Sequence, residues 1–261
     1  MPHGTLGKEA PMTRSILITG GSRGLGRACA LHLARTEQAH LILLGRDEAA
    51  LAATAEAVRQ AGGTAEAHGA DVTDRPRLAA IARTLGPVGG LVAAAAISGM
   101  TAVDGDSDAF FDEILAADLT GPWNTVRAFL PRMGSGGRIV LVSSVLGRFG
   151  VPGYGAYCAA KHGVHGLAKA LALELIGRGI VVNAVAPGWV DTDMAQTGIR
   201  QIAAATGQTE AETRAQAEAA VPVKRFFQPE EIAQGIAWLL NPANTMQVGQ
   251  CLNLDGGVVQ S

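Results

Sequence analysis

From Ser15 onward, short unbroken apolar runs alternate with longer alanine-rich stretches, and this rhythm leaves few architectures open. The runs are Ser15–Thr19, His40–Leu44, Thr64–Ala67, Gly90–Ala95, Arg138–Ser143, Ile180–Val185 and Gln250–Leu254. Between most of them apolar residues recur at three- and four-residue spacing, as in Leu51, Ala55 and Val58, or Leu167, Leu171 and Leu175. A strand with one wet face alternates polar and apolar residues. Continuous apolarity means that both faces are covered, which is the property of a parallel sheet whose crossovers are helices. The expected fold class is therefore α/β, a doubly wound parallel sheet of about seven strands.

No linker or internal repeat divides the chain, and 261 residues suit one large domain, expected over residues 15–261. Residues 1–14 read as a flexible leader without the apolar core of a secretory signal. The stretch Thr192–Val221, rich in Ala, Gln, Thr and Glu, breaks the rhythm between the sixth strand and a helix starting near Pro229. An insertion after a strand C-terminus is where a substrate lid is expected, here over 192–221. A formal net charge of -2 argues against a nucleic-acid binder. No apolar run approaches the roughly 18–20 residues of a membrane span. Cys29, Cys158 and Cys251 are isolated and odd in number, which fits small core residues in a reducing, cytoplasmic setting better than a disulfide framework.

The first strand runs into Thr19-Gly20-Gly21-Ser22-Arg23-Gly24-Leu25-Gly26 and then a helix. Glycines let the backbone approach a pyrophosphate closely, and the helix N-terminus offers unpaired N–H groups to it. Gly20, Ser22, Arg23, Gly24, Leu25 and Gly26 are thus candidate dinucleotide-binding residues in a Rossmann-type sheet. The spacing is TGxxxGxG, and with it the chain resembles the short-chain dehydrogenase/reductase superfamily, single-domain type. The resemblance continues over nearly the whole chain after residue 14.

It implies a nicotinamide dinucleotide as cofactor. The second strand should end at the adenosine ribose, and there the sequence reads Leu44-Gly45-Arg46-Asp47. Similar enzymes that prefer NAD carry an acid where Gly45 stands. Its loss removes the group that would repel a 2′-phosphate, while Arg46, helped by Arg23, can bind that phosphate in a forked geometry. NADP is therefore expected over NAD, the rival arrangement being Asp47 on the ribose and a merely solvated Arg46. Asp71 and Val72 resemble the adenine-contacting pair. Ala94 and Ala95, at the end of the fourth strand, fall at further cofactor positions.

Tyr157 and Lys161 lie four apart on one helix face. Tyrosine titrates near ~10, too high for a base at neutral pH, and a nearby ammonium is expected to lower it. Tyr157 can then exchange a proton with a carbonyl/alcohol pair. Ser144, thirteen positions earlier at a strand end, can hydrogen-bond the same oxygen. A Tyr-x-x-x-Lys pair alone is cheap. The specificity lies in the set Ser143-Ser144, Tyr154 through Lys161, and Asn183-Ala184-Val185-Ala186-Pro187-Gly188, which resembles the family's catalytic and nicotinamide-contacting segments in order and spacing. Pro187, Gly188, Val190 and Thr192 match the segment that holds the carboxamide, and Tyr154 reads as pocket wall. His162 and His165 lack a Cys or carboxylate partner at ligand spacing, so no metal is expected. Asp191 and Asp193 read as turn and cap residues.

Two departures stand out. Where such enzymes have Asn-Asn-Ala-Gly, this chain has Ala93-Ala94-Ala95-Ala96, so the strand end is expected to be less well tied down. The helix asparagine that completes a Ser-Tyr-Lys-Asn relay is Asp118 here. The segments Val221–Glu230 and Gly249–Gly257 are similar to those of bacterial 3-oxoacyl-thioester and polyketide ketoreductases, which points to a small-molecule carbonyl substrate. A dehydrogenase of a steroid, sugar or cyclic secondary alcohol is the alternative within the class, and a non-catalytic NADP-binding sensor or scaffold the alternative outside it. The resemblance also implies a homotetramer or homodimer built through the Asp118 and Tyr157 helices.

Overall fold

The computed structural model describes residues 14–260. It holds β1 (Ser15–Thr19), α1 (Gly24–Glu37), β2 (His40–Gly45), α2 (Glu48–Gln60), β3 (Thr64–Gly69), α3 (Arg75–Thr84) and β4 (Gly90–Ala93). Next come α4 (Asp108–Leu115), α5 (Gly121–Phe129), β5 (Arg138–Val142), α6 (Gly155–Leu175) and β6 (Val181–Pro187). The chain closes with α7 (Asp193–Thr206), α8 (Glu210–Ala220), α9 (Pro229–Leu240) and β7 (Cys251–Leu254). One seven-stranded sheet takes the order β3-β2-β1-β4-β5-β6-β7, with every pair parallel.

Successive residues of a strand point to opposite faces, and the core divides accordingly. Leu17, Leu91, Ile139 and Leu141 pack with Phe129, Val164 and Leu171 beneath α3, α5 and α6. Ile16, Ile18, Val92 and Val140 pack with Leu33, Leu51 and Ile236 beneath α1, α2 and α9. Unbroken apolar runs arise because both faces are roofed by helices. The rule fails at β3, whose Thr64, Ala65, Glu66 and Ala67 lie at the sheet edge and none of which is fully buried.

Strand order reverses between β1 and β4. From β1 the chain winds outward to β2 and β3, then crosses back to β4 on the other side. The divergent connections leave a crevice at the C-terminal ends of these two strands, which is where doubly wound sheets hold their ligands. Residues 1–13 of the expected leader lie outside the described residues. Arg14 is anchored, donating to the carbonyls of Leu240 and Gly89 at 2.7 Å each. Among the described residues, no helix is long and apolar enough to cross a membrane.

Candidate active site

The glycine turn lies in the crevice, and its glycines answer to backbone packing. Gly20 adopts φ +70°, and a Cβ there would stand 2.9 Å from the backbone of Ala95. A Cβ on Gly26 would stand 2.2 Å from the Gly20 carbonyl oxygen, so α1 can sit this close to the turn only with glycine. Arg23 precedes α1 in an extended conformation without a side-chain cap, and no acid occupies the first turn. The leading N–H groups therefore remain free for an anion, as a pyrophosphate requires. Leu25 packs into the core beneath, and exposed Arg23 faces solvent. The Thr192 methyl comes within 3.7 Å of the Cβ position of Gly24, closing the crevice from the β6 side.

The end of β4 corrects an expectation. The strand stops at Ala93 rather than Ala95, but the alanines are not loose. Thr19 accepts the N–H groups of Ala94 at 3.1 Å and Ala95 at 3.2 Å through its buried hydroxyl. A hydroxyl on the neighbouring strand thus does the tying expected of side-chain amides. Thr19→Val preserves the shape and strands both donors, each costing about 1–3 kcal/mol if no water replaces the hydroxyl. We expect a fall in melting temperature of several degrees, read by thermal denaturation; an unchanged transition would show that the hydroxyl does not hold the strand.

At the ribose corner, Gly45 ends β2, and a Cβ there would meet the Ser22 hydroxyl at an unstrained 3.5 Å. The exposed Arg46 guanidinium lies 3.9 Å from the Asp71 carboxylate. Burial works against the Asp71 carboxylate, but hydrogen bonds from Thr73 and the Arg46 cation outweigh it and hold the carboxyl below its ordinary range. Asp47 caps α2, accepting from the Ala50 N–H at 3.0 Å. Val72 is buried against Gly121, where a Cβ would stand 2.6 Å from its side chain.

Across the crevice, β5 delivers Ser144 into a 3₁₀ turn, Val145–Gly147, where its hydroxyl accepts the Leu146 N–H at 3.2 Å. Ser144 lies close enough to the Tyr157 phenol to favour its ionised form. Lys161, one turn further along α6, puts its Nζ 5.3 Å from the Tyr157 ring centroid. That nitrogen donates to the Val142 carbonyl at 3.2 Å and lies 3.1 Å from Asp118 Oδ2. Ser143 fixes the helix from below, donating to the Lys161 carbonyl at 3.0 Å. Asp118 sits in a π-helical turn, Ala116–Thr120, between α4 and α5; the wide turn aims its side chain inward. Its Oδ1 accepts the Ile97 N–H at 2.8 Å, and the carboxylate is fully buried.

These surroundings correct the expected titration of Tyr157. Burial raises its phenol above the ordinary value and outweighs the Lys161 ammonium, which pulls it down; Asp118 adds a push in the same direction as burial. Burial likewise opposes the Lys161 ammonium, but the Asp118 carboxylate reverses that and keeps the amine above its usual range. Tyr154 is buried beside the site, bridged through its backbone to Thr101, with its hydroxyl near Gly198 of α7.

Pro187 ends β6, and Gly188 donates to the Leu254 carbonyl at 3.1 Å. Val190 bridges to Phe227, and Thr192 caps α7 by accepting the Ala195 N–H. Asp191 is not a simple turn residue. Both its oxygens accept from Arg214 of α8 at 3.1 Å, and this guanidinium lies 4.6 Å from the Phe226 ring centroid. Phe226 in turn stacks on Trp189 at 4.9 Å. His165 also differs from expectation: its Nε2 lies 3.2 Å from the Cys251 thiol, across the α6–β7 junction. Burial, followed by the nearby Arg148, lowers its imidazole to about 4. A two-member pair is not a metal site.

A switch-point crevice with a glycine turn on one wall and a Ser-Tyr-Lys cluster on the other defines a nicotinamide-dependent oxidoreductase. A family model described as enoyl-(acyl carrier protein) reductase matches residues 20–259. The chain is 36% identical to a protein named as a monensin polyketide synthase ketoacyl reductase of Streptomyces virginiae, covering 94% of this chain and 97% of that one. It is 32% identical to a 3-oxoacyl-(acyl-carrier-protein) reductase of Staphylococcus aureus, covering 95% and 98%. A solved structure of an actinorhodin polyketide ketoreductase variant with NADPH aligns at TM-score 0.89 and 33% identity, over 94% of this chain and 97% of that one. The chain belongs to the short-chain dehydrogenase/reductase family.

Proposed function

We propose that the protein reduces a ketone, a 3-oxoacyl thioester or polyketide-like substrate, to a secondary alcohol at the expense of NADPH. The observation that carries this reading is the placement of Ser144, Tyr157 and Lys161 across the crevice from an uncapped glycine turn. A nicotinamide dinucleotide, when bound, supplies the hydride. Ser144 holds the substrate oxygen by a hydrogen bond. Tyr157 gives that oxygen a proton. Lys161 supplies positive charge behind the phenol. Gly20, Ser22, Gly24, Leu25 and Gly26 would hold the pyrophosphate, Asp71, Val72, Ala94 and Ala95 the adenosine side, and Pro187, Gly188, Val190 and Thr192 the carboxamide.

The acyl class is supported by relatives named for ketoacyl and 3-oxoacyl-(acyl-carrier-protein) substrates. Helices α7 and α8, tied down through Asp191 and Arg214, form the lid, and Tyr154 forms pocket wall. Exposed Phe111 and Trp123 on α4 and α5 support a homodimer or homotetramer packed through these helices. Following NADPH absorbance with a panel of 3-oxoacyl thioesters, cyclic ketones and sugars tests the reading. Turnover of none of them would leave a cofactor-binding scaffold.

Cofactor choice follows from the ribose corner. Arg46 is placed to meet a 2′-phosphate, and Gly45 presents no carboxylate to repel one. We expect a higher kcat/KM with NADPH than with NADH, and a shrunken or reversed preference in Arg46→Asp. Equal use of both cofactors by the unaltered protein refutes this assignment.

A further inference from the structure

Tyr157 is hemmed in by a short list of charges. On α6 it faces Lys161 and Cys158, and just before the helix Tyr154; from the π-helical turn comes Asp118; Ser144 contributes only a hydroxyl. The other groups in its cluster are apolar, including Ile97 and Met100 after β4, Phe110 and Ile114 of α4, and Ile202 of α7. Among the described residues the Lys161 ammonium is the one cation that favours a phenolate at Tyr157, and it is 3.1 Å from a carboxylate, both side chains being almost wholly buried. An amide at position 118 would leave the field of a protonated Lys161 on Tyr157 uncancelled. A carboxylate opposes it.

We propose that Asp118 is the buried counter-ion of Lys161 and cancels its field at Tyr157, so that the site is built to donate protons rather than accept them. The inference rests on the reading of Tyr157 as proton donor and adds a direction to it. Reduction needs the phenol and should run at full rate across neutral pH. Oxidation of the alcohol needs the phenolate and should be confined to strongly basic pH. Asp118 is a positioning residue here, since it acts on Tyr157 through Lys161 and through space. With Lys161 protonated, loss of the carboxylate removes an influence that raises the phenol, so the phenolate forms at lower pH.

The chain's two tyrosines permit a test that needs no turnover. In a Tyr154→Phe background, alkaline titration of tyrosinate absorbance reports Tyr157 alone, with circular dichroism marking the folded range. We expect a midpoint above that of a free phenol with Asp118 in place, and a lower midpoint in Tyr154→Phe/Asp118→Asn. Asn keeps an acceptor for the Ile97 N–H, so the π-helical turn retains its anchor. An unchanged or raised midpoint overturns the proposal, the latter because it would mean Lys161 had lost its proton instead. With the otherwise unaltered enzyme, the oxidation profile should still be rising near pH ~9 while reduction is flat; an oxidation profile flat across neutral pH overturns it as well. Failure of every ketone would sink the functional reading, yet the optical titration would still decide the role of Asp118.

Discussion

Tyr157→Phe is expected to lower kcat for ketone reduction by at least ~10²-fold, the usual scale for losing a general acid. That factor corresponds to about 2.7 kcal/mol of transition-state stabilisation. Phenylalanine fills the same space in the cluster of Ile114, Ala156 and Ala160, so the fold has no reason to change. Ser144 keeps the Leu146 N–H that orients it. Lys161 keeps its carbonyl and carboxylate partners, Val142 and Asp118. NADPH affinity, measured by nucleotide fluorescence, should therefore stay near that of the unaltered protein while turnover collapses. Near-normal turnover would place the proton donor elsewhere.

Gly26→Ala should be the most damaging single methyl in the cofactor half. The added carbon would stand 2.2 Å from the Gly20 carbonyl oxygen and 2.7 Å from its carbon. Both neighbours are backbone, so no rotamer change relieves the clash; either α1 moves away or the turn opens. Overpacking of this kind costs about 1–3 kcal/mol and sometimes more. Either movement also displaces the N–H groups that face the pyrophosphate, so affinity for the dinucleotide should drop at least ~10-fold, with a lower melting temperature. Unaltered affinity and stability together would show that the turn adapts without loss.

Some of this was open to inspection in the chain and some was not. The unbroken runs Ile16–Ile18 and Leu41–Leu44 announced strands roofed on both faces, because burial on both sides removes any demand for polar residues. Thr64–Ala67 also reads as a strand, although the edge strand it forms is only partly buried. The pairing of Tyr157 with Lys161 followed from a helix's own periodicity. Thr19 as anchor for Ala94 and Ala95 did not, since donor and acceptor are 75 and 76 positions apart and meet only because β1 and β4 are neighbours in the sheet. Asp191 with Arg214 and His165 with Cys251 were hidden for the same reason, being separated by 23 and 86 positions.

The amino-acid sequence by itself determined the class of sheet, the glycine turn after its first strand and the shared helix face of Tyr157 and Lys161, because each depends on short-range spacing or continuous apolarity. Ser144 joined that pair in a cluster through the family resemblance. The electrostatic character of that cluster was decided only in three dimensions. The spacing of Tyr157 and Lys161 suggested a phenol made more acidic. Folding buries the phenol and brings Asp118 from 43 positions away in the chain to 3.1 Å from Lys161, which turns the balance the other way. A charge's effect depends on its distance and on the water excluded around it, and both are properties of the packed structure rather than of the order of residues.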